Sequence, residues 1–104
     1  MARNYSAQGF ATLATAASKT LVVLTSAATI RPSLYDVMVG CDATPADQAA
    51  RFVVQRFTAA GTTTAVTPEP LDPGDPIALA AAGSNASVEP TYTAGKILLT
   101  MPLN

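Results

Sequence analysis

Four prolines stand close together at positions 68, 70, 73 and 76, in the segment Thr67-Pro-Glu-Pro-Leu-Asp-Pro-Gly-Asp-Pro76. Each proline fixes its own φ angle and removes one backbone N–H donor. The segment therefore cannot be the central strand of a sheet, and we predict that it runs extended, close to polyproline II. Within it, Asp72-Pro-Gly-Asp75 places Pro73 and Gly74 at the middle of a type II turn. This Pro-rich connection is either a stiff surface crossover or a loop that faces a partner.

Short runs of β-forming residues account for much of the remaining chain. Residues 19–25 form a β-branched and leucine run of strand length. Residues 34–41 alternate, with Tyr35, Val37, Val39 and Cys41 on one face, which is typical of a half-buried strand. Residues 96–101 predict a last strand, ended by Pro102.

Two segments allow more than one secondary structure. Thr44-Pro45-Ala46-Asp47 is a good helix start, and apolar residues follow it at helical spacing up to Gly61. The β-branched and aromatic density of residues 52–57 argues against a helix. We favour a loop or single helical turn at 43–49 and a strand over 50–58. Residues 77–82 are either one short helical turn or a flat strand of small residues.

The side chains that catalysis needs are scarce. The chain has no histidine, so it lacks the commonest general base and metal ligand, and its one cysteine, Cys41, is expected to be a small core thiol. Glu69, Asp72 and Asp75 lie close in sequence, but Pro73 restricts them and the residue order of a calcium loop is missing. We therefore predict a protein that is not an enzyme and has no cofactor, no metal and no catalytic residue.

The charges and the hydropathy pattern limit which kinds of partner are expected. The six basic residues are spread along the chain, whereas phosphate-backbone binding needs clustered Lys and Arg, so no direct nucleic-acid partner is expected. No run approaches the roughly 20 apolar residues of a membrane-spanning helix, so no membrane partner is expected either. Charged residues make up 12% of the chain, about half the usual share of roughly 25%. This deficit indicates that assembly covers much of the surface.

The predicted fold is all-β: a small antiparallel β-sandwich or jelly-roll-like domain with an extended N-terminal arm and a Pro-rich connection. Residues 1–18 lack a sustained period and form the arm, with Tyr5 and Phe10 as its anchors. Residues 19–104 form a single β domain, completed either by its own strands or by neighbouring chains.

Six sequence blocks occur in an order that resembles the capsid decoration, or cement, proteins of tailed bacteriophages and related head-associated virion proteins. The blocks are Arg3-Asn-Tyr-Ser6, Phe52-Val-Val-Gln-Arg-Phe57, residues 58–68, Leu71-Asp-Pro-Gly-Asp-Pro76, Ala81-Ala-Gly-Ser-Asn85 and Glu89-Pro-Thr-Tyr92. Members of that family continue with further β segments beyond the position of Leu98-Leu99. The resemblance therefore implies that a neighbouring chain covers an open strand edge here.

The resemblance implies a virion structural protein made in the host cytoplasm and located on the capsid exterior. Its expected partners are the major capsid protein and copies of itself, as a homotrimer that stabilises the capsid. A head–tail completion protein and a fibre-associated recognition module are the alternatives. We expect most intermolecular contacts from the arm and from the Pro-rich connection, because both are apolar yet unsuited to a monomer core. The candidate contact residues are Tyr5, Phe10, Pro68, Pro70, Leu71, Pro73 and Pro76.

Overall fold

The computed structural model describes residues 3–12, 18–40 and 50–103 of the chain. Within these ranges it contains seven strands and no helix. The strands are Tyr5–Ser6 (β1), Val22–Thr25 (β2), Ala50–Ala59 (β3), Thr62–Val66 (β4), Glu69–Pro70 (β5), Ala81–Val88 (β6) and Thr91–Leu103 (β7). All pairings are antiparallel, and they form a three-stranded sheet with the order β2-β6-β4 and two two-stranded sheets, β1-β5 and β3-β7. The predicted small, sandwich-like all-β fold is confirmed.

The three-stranded sheet is built around a strand of small residues. β6 has the sequence Ala-Ala-Gly-Ser-Asn-Ala-Ser-Val and pairs with β2 on one side and β4 on the other. At its centre, Gly83 lies opposite both Val23 and Ala65. A Cβ atom added at Gly83 would lie 2.7 Å from the Cβ of Thr63, so this position has room for hydrogen only. The small residues let the neighbouring strand and its side chains approach β6 closely.

The β3-β7 pair is a long, irregular ribbon. Its register is continuous from Ala50, opposite Leu103, to Val54, opposite Leu99, and three shifts follow between Val54 and Ala59. Gly95, with a φ of 73°, lies in the irregular part of β7, where a left-handed residue is needed and glycine supplies it at low cost. The apolar side chains of Phe52 and Val54 lie directly opposite Met101 and Leu99.

Little of the chain is buried. Apart from prolines, the buried apolar side chains of the described residues are Val23, Phe52, Ala82 and Ala86, whereas sixteen large hydrophobic residues are exposed. The chain exposes 8172 Å² in total, and a monomeric globular protein of this mass exposes about 5,500 Å². Many large apolar side chains of the described residues therefore face water, and apolar surface of this kind is typical of interaction sites.

Several strand predictions are confirmed. The segment 50–58 is a strand, β3, and the helical alternative is wrong for residues 50–59, because pairing with β7 satisfies the backbone of the β-branched and aromatic residues. Residues 22–25 of the predicted strand 19–25 form β2. Residues 96–101 lie in β7. For residues 77–82, the strand alternative holds only from Ala81 onward, where β6 begins.

Other predictions are wrong. Residues 34–40 form no strand, although their alternation is strand-like, because they enter no ladder. Pro102 does not end the last strand: it pairs with Arg51, and β7 continues to Leu103. β7 pairs only with β3 in the described part of the chain, and proline is tolerated on such an edge strand. The predictions for Cys41 and for residues 43–49 lie outside the described residues.

Candidate protein–protein interaction surface

The N-terminal arm contacts the Pro-rich connection of its own chain. β1 pairs with β5 through Tyr5 opposite Pro70 and Ser6 opposite Glu69. The backbone N–H of Leu71 donates to the carbonyl oxygen of Asn4 at 2.9 Å. Two elements that were each predicted to reach a partner therefore form one sheet, which we call the arm junction.

Side chains add two further links to the arm junction. The Tyr5 hydroxyl donates to the carbonyl oxygen of Pro76 at 2.9 Å, and Arg3 Nε lies 3.8 Å from Asp75 Oδ1. Both links are solvent-exposed, and an exposed ion pair of this kind contributes little to stability. The junction consequently depends on a few hydrogen bonds rather than on buried area.

The turn inside the connection differs from the predicted type. The N–H of Asp75 donates to the carbonyl of Asp72, and the N–H of Gly74 donates to Asp72 Oδ1, both at 2.9 Å. A type II turn needs a left-handed residue at Gly74, and Gly74 does not have a positive φ. The type II prediction is wrong, because the Asp72 carboxylate binds the turn backbone and favours the type I geometry.

The arm also crosses the three-stranded sheet at Gly9. A Cβ atom at this position would lie 2.5 Å from the Leu21 carbonyl oxygen, 2.6 Å from Val22 Cγ2 and 2.7 Å from Ser84 Cβ. Only glycine permits this close approach of the arm to β2 and β6. The sequence contains no local signal for it, because the reason lies in a tertiary contact.

Replacing Tyr5 by phenylalanine should loosen the arm junction without unfolding the domain. The loss of one exposed hydrogen bond should speed amide exchange at Leu71 about two- to fivefold, because its N–H is bound by the arm. Hydrogen exchange followed by NMR measures this rate. Tyr35→Phe is the matched control, since Tyr35 is also a surface tyrosine. Equal exchange at Leu71 in both variants would show that the Tyr5 hydroxyl does not hold the arm.

A polar cluster links residues 19 and 20, just before β2, to the turn between β6 and β7. The Glu89 carboxylate accepts hydrogen bonds from the Thr20 hydroxyl and, at 3.1 Å, from the Thr20 N–H. The Thr20 hydroxyl also contacts the Tyr92 hydroxyl. Lys19 Nζ donates to the Ala86 carbonyl and lies 3.9 Å from Glu89. Each of these polar groups has an internal partner, so the cluster has a structural role.

The β3-β7 ribbon exposes apolar side chains on both faces, because Ile97 and Leu99 lie opposite the successive residues Gln55 and Val54. Ile97, Leu98 and Leu99 are all exposed, Leu98 at 60%. An open groove runs beside them, where the irregular segment 34–37 lies along the ribbon. Its lining residues are Leu34, Tyr35, Asp36, Val37, Val54, Leu98 and Leu99. A two-stranded ribbon with an apolar face is marginal in water unless something packs on it.

A second apolar patch follows the prolines of the connection. Leu71, Ile77 and Leu79 are exposed, Ile77 at 75%. The carboxylates of Glu69 and Asp72 are exposed beside them. Sequence reasoning identified Leu71 but missed Ile77, Leu79 and the ribbon residues. No signal in the sequence marks them as exposed, and only the folded chain shows it.

The candidate contact residues divide by exposure. Pro68 is buried within the chain, and Tyr5 and Pro70 are half-buried where they pair with each other. The other candidates are exposed, namely Phe10, Leu71, Pro73 and Pro76. The structure thus brings Tyr5 together with Pro70 and Pro76, and it leaves Phe10 pointing to solvent at 70% exposure. Contact with a partner stays a prediction for all seven.

Among residues 3–12, 18–40 and 50–103, no group of three or more His, Cys, Asp or Glu residues could hold a metal ion. No helix in the same ranges is long and apolar enough to cross a membrane. The exposed apolar side chains are the candidate interaction surface.

Comparison with known proteins adds no relative. No protein-family model matches the chain, and neither a curated protein nor a solved structure matches it. The fold and its surfaces define a small all-β domain that exposes two apolar patches.

Proposed function

We propose that this protein is a virion structural protein that binds the outer surface of a phage capsid and stabilises it, as a decoration or cement protein. The observation that carries the proposal is the excess of exposed over buried large hydrophobic side chains. A domain of this kind gains its full stability only when other subunits cover these side chains. The reason for proposing a virion protein is the order of the six sequence blocks, which resembles that of phage decoration proteins.

A capsid surface suits such a subunit for a further reason. Many copies on a symmetric lattice bind with avidity, so each copy can use a modest contact area. The proposed partners are the major capsid protein and copies of the chain itself, arranged as a homotrimer. The protein makes no chemical change in this role, which agrees with the absence of histidine from the sequence.

The copy number per particle tests the proposal. Purified virions should contain hundreds of copies by quantitative mass spectrometry, and particles without the protein should lose their genome at lower temperature. About a dozen copies would replace the proposal by a head–tail completion protein. Absence from particles, together with binding of the isolated protein on a glycan array, would replace it by a recognition module.

A further inference from the structure

We infer that copies of this chain associate with each other through two different surfaces. The ribbon surface consists of Arg56, Lys96, Leu98 and Leu99 on the β3-β7 pair. The connection surface consists of Glu69, Leu71, Asp72, Ile77 and Leu79. The ribbon surface of one copy packs on the connection surface of the next. This inference deepens the self-association in the proposed function by naming the surfaces that meet.

The ribbon surface combines exposed apolar side chains with positive charge. Gln55 lies opposite Ile97, and Arg56 and Lys96 are the next residues on the two strands. Both are exposed, and like charges on one surface repel each other. An anionic group from another molecule would relieve this repulsion while apolar contacts cover Leu98 and Leu99.

The connection surface has the complementary character. Its apolar residues Leu71, Ile77 and Leu79 are exposed, and the carboxylates of Glu69 and Asp72 lie beside Leu71 in the sequence. The surface is also well ordered before binding, because prolines stiffen it and the arm holds it through Asn4 and Tyr5. Little conformational entropy is then lost when it meets a partner.

The ribbon surface lies on the β3-β7 sheet, whereas the connection surface begins at β5, which pairs with β1. Both surfaces are exposed on the same chain, so a contact between them joins two unlike surfaces. A contact between unlike surfaces is heterologous, and it uses two patches on every copy. A standard interface covers about 800 Å² per partner, whereas this chain exposes 8172 Å², which is roughly 2,700 Å² more than a monomer of its mass. Two interfaces of standard size per chain would cover about 1,600 Å² of it.

Paired variants test the inference by analytical ultracentrifugation or light scattering. The ribbon variant is Arg56→Glu with Lys96→Glu, and the connection variant is Glu69→Lys with Ile77→Lys. Each variant alone should associate at least about tenfold more weakly than the unmodified chain, because like charges then face each other. Arg31→Glu is the control for a charge reversal on an exposed residue outside both surfaces, and it should leave association unchanged. Circular dichroism of each variant should match that of the unmodified chain.

Mixing the two variants gives the decisive result. Each variant retains one intact surface, so the equimolar mixture should place the intact ribbon of one on the intact connection of the other. The two altered surfaces carry opposite charges and can also pair, so the associated species should contain the two variants in equal numbers. Association of either variant alone at full strength, a monomeric mixture, or a monomeric unmodified chain would overturn the inference. These measurements use no capsid, so the inference and the capsid-binding proposal can fail separately.

Discussion

Replacing Phe52 by alanine should lower the free energy of unfolding by about 3 kcal/mol or more. Phe52 is 8% exposed and is the largest buried apolar side chain in the described part of the chain. Its removal takes away apolar burial and leaves a cavity beside Met101, its partner on β7. Typical domains have about 5–15 kcal/mol of stability, so this loss is a large part of the total.

Urea denaturation measures the loss, and the chain offers a matched control. Phe10→Ala removes the same atoms from a side chain that is 70% exposed, and it should change stability by less than about 0.5 kcal/mol. Equal losses from the two substitutions would contradict the placement of Phe52 in the core. Both variants should be compared at a single protein concentration, because association contributes to apparent stability.

Replacing Gly61 by alanine should cost about 3 kcal/mol, through two separate effects. Gly61 joins β3 to β4 with a φ of 70°, a conformation that an alanine adopts only with strain. A Cβ atom there would also collide with the Val88 carbonyl oxygen and lie 2.9 Å from Pro90 N. These are backbone atoms, so the chain cannot relieve the collision by rotating a side chain.

Alanine substitutions at two other glycines distinguish the cost of the positive φ at Gly61 from the cost of the collision. Gly95 has a similar φ of 73° but open space around its Cβ position, so Gly95→Ala should cost only the conformational strain of about 1 kcal/mol. Gly40 has neither a positive φ nor a close neighbour, and Gly40→Ala should be neutral or slightly stabilising. The prediction concerns the order of the three losses in thermal or urea unfolding. A cost at Gly61 no larger than that at Gly95 would contradict the close approach of Val88.

The strands that could be predicted are those whose side chains have a strong β preference. Two examples are the β-branched and aromatic residues of β3 and the Ile97-Leu-Leu99 run of β7, which predict strands from composition alone. β6 was missed beyond its first two residues, because Ala, Gly, Ser and Asn have no such preference and only pairing with β2 and β4 makes this segment a strand. Residues 34–40 show the reverse case, since alternation alone does not make a strand of a segment that pairs with no other strand.

The candidate site was predictable in its parts and not in their arrangement. The prolines predicted an extended connection, and Glu69–Pro70 within it is a short strand. Tyr5, singled out in the arm, pairs with Pro70. Nothing in the sequence pairs Tyr5 with Pro70, because the two residues are far apart in the chain and their contact is made by backbone groups. The same holds for Gly9, whose neighbours Leu21 and Ser84 appear only in the folded chain.

The three register shifts in the β3-β7 ribbon limit how its edges can be used. An incoming strand could follow the hydrogen-bonding groups in step only from Ala50 to Val54, since beyond Val54 the spacing of donors and acceptors changes. Open-ended stacking of copies into fibrils needs a long straight edge that repeats without interruption. This ribbon can therefore offer an apolar face to a neighbour while its irregular edges disfavour fibril growth by strand addition.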